Sequence, residues 1–217
     1  METRLDRSGI DRINIRIATD AAREAIRWAH VTFGDRMVVL SSMQETTLVE
    51  LAMRVDRSIP IAFLDNGHHF AETLDTVRRV ERRYGIEVER VGPVEPVRDD
   101  VRSGECCDLK PALLETALAG RDAWLSGIRR SQTAHRSAAP IVERDRRGKV
   151  KVNPIVQWND DEHRRFVAEY DVIRNPLLDR GYTSIGCRTC TAPPPDDVDV
   201  RSGRWADSDR EECGLHL

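Results

Sequence analysis

Five cysteines punctuate this 217-residue chain, and four of them fall into two tight groups. Cys187 and Cys190 have the spacing at which one turn lets two thiolates grip a single metal centre. Cys106 and Cys107 are adjacent, and neighbouring residues seldom close a relaxed disulfide because their Cβ vectors diverge. Together the four supply a complete thiolate sphere, which selects soft centres: zinc or an iron–sulfur cluster. Structural zinc sites use two spaced hairpin pairs, which an adjacent pair cannot form, so the pattern favours a four-iron cluster over zinc. Four unrelated buried thiols are the bland alternative, since free cysteine is a common small core residue. The fifth, Cys213, is left over and is read as a candidate reactive thiol.

Loops at the ends of strands could hold a ligand near these sulfurs. The apolar run 37–40 reads as a buried parallel strand, and the polar loop Ser41-Ser42-Met43-Gln44-Glu45 leads from it into a helix over 46–55. Free N–H groups and the helix dipole converge at such a turn, which suits an anion, although most such turns bind nothing. A second strand over 59–64 ends at Asp65-Asn66-Gly67-His68-His69, where the histidines are either exposed loop residues or ligands. A helix follows to Tyr84, Gly85 stops it, and 86–91 is a third strand. Residues 123–128 form a further strand ending in Gly127-Ile128-Arg129-Arg130. Paired arginines there could clamp phosphate or sulfate, or be a solvated surface.

The supporting elements complete an α/β alternation. Asp20 is the expected N-cap of a helix over 21–33, and residues 92–105 read as a loop that delivers Cys106. Residues 113–118 read as helical, 141–152 as a hairpin, and 160–170 as a helix capped by Asn159 or Asp160. Ligands of such a sheet lie at the carboxyl ends of its strands. With 40% hydrophobic residues the chain can bury a core without disulfides, and residues 1–190 are expected as a single domain. Residues 191–217, rich in proline, aspartate, serine and glycine, are expected as a mobile tail. A net charge of -3 argues against nucleic-acid or membrane-surface partners. Met1–Ile10 has no apolar run fit for a leader or spanning helix, so a cytoplasmic location is expected.

The tail carries an unusual load: Arg201-Ser202-Gly203-Arg204-Trp205 and Glu212-Cys213-Gly214-Leu215-His216. With Cys106-Cys107 and Cys187-x-x-Cys190, these motifs resemble assimilatory adenylyl-sulfate (APS) reductases of the iron–sulfur bacterial type, in the PAPS/APS reductase family. Ser41-Ser42-Met43-Gln44, Leu64-Asp65-Asn66-Gly67, Gly127-Ile128-Arg129-Arg130, Val152-Asn153-Pro154 and Asn175-Pro176-Leu177 support the resemblance, which runs from about Phe33 to the end. It implies an adenine nucleotide α-hydrolase-like fold, with a modified pyrophosphatase-type (PP) loop at 41–45 and a parallel sheet flanked by helices. It also implies a 4Fe-4S cluster on Cys106, Cys107, Cys187 and Cys190 that passes no electrons in turnover.

The implied reaction is attack of the Cys213 thiolate on the sulfur of adenylyl sulfate, followed by release of sulfite by thioredoxin. Ser41, Ser42, Asn66, Gly67, Arg129, Arg201 and Arg204 would bind substrate, and His216 would order the closed tail. The family pattern departs at two places: Pro111 stands where a lysine is usual, so Lys110 is assigned that role, and Asn66 stands where threonine is usual. The same reaction on 3′-phosphoadenylyl sulfate (PAPS), and a non-catalytic iron–sulfur or zinc nucleotide sensor, are the alternatives. A homo-oligomer is compatible with either.

Overall fold

The computed structural model describes residues 7–92, 105–194 and 201–205, with the backbone alone for residues 7–15, 17, 105 and 106. In chain order the elements are α1 (Arg7–Phe33), β1 (Met37–Leu40), α2 (Thr47–Val55), β2 (Ile61–Leu64), α3 (Ala71–Tyr84) and β3 (Glu89–Val91). There follow α4 (Glu105–Asp108), α5 (Lys110–Ala117), β4 (Ala123–Leu125), β5 (Val142–Arg144), β6 (Val150–Val152) and α6 (Asp160–Glu169). The chain divides into two compact units.

The first unit takes in Met1–Val39, Thr47–Ile59 and Arg121–Val172. In it β4 lies between β1 and β6, parallel to both, with Met37 opposite Ala123 and Ala123 opposite Val150. Residues 37–39 and 123–125 are buried throughout, as an unbroken apolar run covered on both faces must be. The β5–β6 pair is antiparallel and closes through a turn at Gly148, whose φ of 76° suits glycine. Helix α1 lays Ala22, Ile26 and Ala29 against α2, α6 and the strands, at the spacing of one helical face. It begins well before the expected residue 21, because Ile10, Ile13 and Ile17 continue the helical period. Asp20 is therefore inside the helix, and it is not the N-cap.

Leu40–Thr46, Pro60–Gly120 and Ile173–Leu217 make up the second unit. All four residues of β2 are buried, and β2 runs parallel to β3 with Phe63 opposite Arg90. Thr73, Val77, Val80 and Tyr84 form the buried stripe of α3, and Gly85, at φ 64°, ends it in the left-handed region. The third strand is shorter than the expected 86–91. The amide of Ile86 bonds to the Glu81 carbonyl and that of Val88 to the Glu81 carboxylate, so these residues belong to the helix end and not to the ladder. Helix α5 packs on β2 and β3; most of the loop expected over 92–105 lies outside the described residues, and Cys106 falls in the single turn α4.

Similar trimming affects β4, expected to reach residue 128. The Ser126 amide bonds to the Val152 carbonyl, and the strand ends at Leu125. Within the second unit the loops 41–46 and 65–70 leave the ends of β1 and β2, where the sequence places a ligand. Helix α6 starts with a capping box: Asn159 accepts the Glu162 amide at 2.9 Å and Glu162 accepts the Asn159 amide at 2.9 Å. Replacing Asn159 with Ala should lower unfolding free energy by about 1 kcal/mol. Urea denaturation checks this, with an unchanged slope expected.

Candidate metal centre

Glycines and asparagines in the loops of the second unit let three distant sulfurs meet. Cys107 and Cys187 are fully buried and Cys190 nearly so, and their Sγ atoms all lie within 4.8 Å of one another. Cys107 comes from α4, while Cys187 and Cys190 flank a single 3-10 turn, as their spacing predicts. Cys106 lies on α4 beside Cys107, and its side chain is outside the described atoms. Such a dry set of thiols fits a soft metal centre: thiolates bind zinc or iron–sulfur clusters, and burial excludes competing water.

Two side-chain N–H groups aim at these sulfurs. The Trp205 indole donates to Cys107 Sγ at 3.3 Å, and the Asn66 amide donates to Cys187 Sγ at 3.0 Å. Trp205 itself is 2% exposed and belongs to the same buried cluster as the three cysteines. Residues 201–205, within the stretch expected as a tail, pair with 190–192. The Trp205 amide bonds to the Cys190 carbonyl, Ala192 donates to Gly203, and Thr191 bridges Arg204.

Arg204 lies over the Trp205 ring at 4.2 Å and donates to Ser184 Oγ at 3.2 Å, with Arg201 over the same ring at 5.3 Å. A Cβ on Gly186 would stand 2.3 Å from the Arg204 guanidinium, and one on Gly203 would stand 2.1 Å from the Ala192 carbonyl oxygen. Gly203 is thus required by close approach to backbone, whereas Gly186 faces only the movable end of the Arg204 side chain.

The strand-end loops brace the cysteine loop. Gln44 accepts the Ile185 amide at 2.8 Å, and the Asn175 amide donates to Gln44 while its side chain donates to Thr73. Ser41 donates its amide to the Ala62 carbonyl and its Oγ accepts the Met43 amide; Ser42 is exposed. Met43 is fully buried at φ 58°, a conformation a long side chain adopts only when its surroundings hold it there. Gly67 sits at φ 75° with its amide on Asp65.

His69 pairs by backbone with Cys187, and its Nε2 meets the Leu64 carbonyl at 3.0 Å. Burial, with the Lys110 charge nearby, lowers the His69 imidazole to about 4, so the ring is neutral at pH 7 and Nε2–H is the donor. Lys110 opens α5 and is itself buried.

Among the expected binding residues, Arg129 lies in the first unit, in an ion pair with Asp160, which also accepts Ser131 at 3.1 Å. Burial opposes ionisation of Asp160, but the Arg129 hydrogen bond and charge outweigh it and hold the carboxyl below its usual range. Cys213 and His216 lie outside the described residues. Sequence reasoning passed over Trp205, Gln44 and Asn175 as site residues, although their motifs were quoted.

Comparison with known proteins agrees with this picture. Residues 36–193 match the family model described as the phosphoadenosine phosphosulfate reductase domain. The adenosine 5′-phosphosulfate reductase of Mycolicibacterium smegmatis is 40% identical over 213 residues, covering 93% of this chain and 90% of its own. A crystal structure of phosphoadenylyl-sulfate reductase from Candida auris, in a phosphate complex, superposes with a TM-score of 0.65 at 26% identity, over 88% of this chain and all of that one. Candida glabrata FMN adenylyltransferase, at 13% identity, shares the fold with a TM-score of 0.64 over 90% of this chain and 69% of its own. The architecture is the adenine nucleotide α-hydrolase-like one that the resemblance implied.

Gly203→Ala should loosen residues 201–205, because its neighbour is backbone, while Gly186→Ala should only push the flexible Arg204 aside. Hydrogen exchange at Ala192 and Trp205 should rise in the first variant and stay near wild type in the second. In an NMR titration His69 should protonate near 4 and not near 6.5. The unfolded chain takes up that proton first, so stability falls as pH drops through this window.

Proposed function

The chain belongs to the phosphoadenosine phosphosulfate reductase domain family, and on that premise we propose that it reduces adenylyl sulfate to sulfite and AMP in sulfate assimilation, with thioredoxin as reductant. The observation that carries this reading is the set of three buried, mutually close cysteine sulfurs, with the Arg201–Trp205 segment against it.

In the proposed reaction the Cys213 thiolate attacks the sulfur of the bound sulfonyl group. A sulfur–sulfur bond forms, the sulfur–oxygen bond to phosphate breaks, and AMP departs with that electron pair. The enzyme is left as an S-sulfocysteine. A thioredoxin thiolate attacks the Cys213 sulfur and expels sulfite, and the second thioredoxin thiol resolves the mixed disulfide. Two electrons from the dithiol account for the reduction of sulfur.

The leaving group is a phosphate of a mixed anhydride, so the protein's task is to hold anions and deliver a thiolate. Ser41, Ser42, Gly67 and the backbone of Asn66 supply strand-end loop groups for the nucleotide, and Arg129, Arg201 and Arg204 supply positive charge for the sulfate and phosphate. Lys110, buried at the start of α5, places an ammonium near the cysteine loop. His216 orders the closed C-terminal segment. Cys106, Cys107, Cys187 and Cys190 would hold a 4Fe-4S cluster, which when bound would supply a fixed polarising centre and not electrons for turnover. This chemistry requires no nucleic acid or membrane, and among the described residues no helix is long and apolar enough to cross one. We place the protein in the cytoplasm on the same reading.

After incubation with adenylyl sulfate and no thioredoxin, mass spectrometry should find one sulfonate group on the peptide carrying Cys213. Cys213→Ser should abolish both that adduct and sulfite release. An unmodified peptide from metal-loaded, active protein would contradict the mechanism, and faster turnover of the 3′-phosphorylated nucleotide would reassign the substrate.

A further inference from the structure

Asn66 has no exposed surface, so both ends of its carboxamide must be used inside the protein. Its Oδ1 accepts the His68 amide at 3.2 Å, which leaves Nδ2 as the end that faces Cys187 Sγ, 3.0 Å away. The reverse orientation would set an NH2 group against a backbone N–H, so the network assigns the amide.

The surrounding loop leaves the side chain little room to swing. Asp65 accepts the Gly67 amide at 2.9 Å, the His68 carbonyl accepts the Arg188 amide at 2.8 Å, and His69 bridges Cys187 through the backbone. The donor and its sulfur are therefore carried by two loops that are laced together.

We propose that Asn66 is a positioning residue for the metal centre, holding the Cys187 sulfur inward and tuning its bond to iron. Hydrogen bonds to cluster sulfurs withdraw electron density from the metal–sulfur bond and set the reduction potential. Groups in this second layer are typically worth a 10- to 100-fold change in metal affinity. The proposal rests on the iron–sulfur reading above, and it concerns retention and electronics of the centre, not the sulfur chemistry at Cys213.

Two variants separate donation from mere packing. Asn66→Asp keeps the shape and the acceptor for the His68 amide but turns a donor towards the sulfur into an acceptor. Asn66→Leu removes both ends. Each is compared with wild type as anaerobically loaded full-length protein, by iron loss to a chelator and by resonance Raman of the Fe–Sγ stretches. With circular dichroism near wild type, Asn66→Asp should lose iron roughly tenfold faster or more. Its Fe–Sγ bands should move to higher frequency, and Asn66→Leu should show a smaller change of the same sign.

A purely structural Asn66 predicts the opposite order, with Asn66→Asp indistinguishable from wild type; that result overturns the proposal. Should Asn66→Asp not fold, Asn66→Leu decides, since unshifted bands and wild-type iron loss overturn it and shifted bands with faster loss support it. Wild-type protein that takes up no iron would sink the cluster reading itself, whereas iron-loaded wild type with unaltered variants sinks this inference alone.

Discussion

Gathering three cysteine sulfurs into a dry interior is the constraint on which the second unit depends. As thiolates, Cys107, Cys187 and Cys190 would repel one another across less than 5 Å with no water to screen them. As neutral thiols they would be a small apolar cluster with no need of aimed donors. N–H groups that face sulfur, from Asn66 and Trp205, suit sulfurs that carry negative charge, and a bound cationic centre would offset the repulsion that remains.

That requirement explains where the loops of this unit spend their glycines and amides. Cys107, Cys187 and Trp205 are separated along the chain, and the last stretch closes only if Gly203 lets its backbone reach Ala192, with Gly186 leaving room for the Arg204 guanidinium. Trp205, at φ 54°, and Met43, at φ 58°, hold left-handed backbone conformations that other parts of the fold must enforce. Gln44 and Asn175 transmit order from the 41–46 loop to the cysteine loop through hydrogen bonds. Anchoring of residues 201–205 beside the cysteines places two arginines there as well, ahead of the segment that bears Cys213.

Much of this was legible in the residues themselves. Apolar runs at 37–40 and 59–64 announce strands covered on both faces, although the second starts at Ile61, and Gly85 and Asn159 mark helix ends by chemistry that does not depend on tertiary context. The Cys187–Cys190 spacing reads directly as one turn. The strand start at 86–88 was illegible because local hydrogen bonds to Glu81 outcompete simple periodicity, and the end at 126–128 because pairing with β6 stops at Val152 while the apolar pattern runs on. Docking of residues 201–205 was hidden for another reason. Its composition is that of a loop, and only a long-range partner, the Cys187–Cys190 turn, gives Trp205 somewhere to be buried. The engagement of Arg129 by Asp160, 31 positions away, is likewise invisible to spacing.

The account stands on these cysteines being a loaded centre, with substrate anchored beside it and a distant thiol delivered to it. Metal and acid-labile sulfide analysis of the anaerobically purified full-length protein, with its visible spectrum, tests that most directly. The account predicts iron and sulfide in equal amounts with broad sulfur-to-iron absorption, lost together when Cys107 or Cys187 is replaced by serine. Stoichiometric zinc without sulfide, or metal-free protein that still releases sulfite from adenylyl sulfate at full rate, would contradict it.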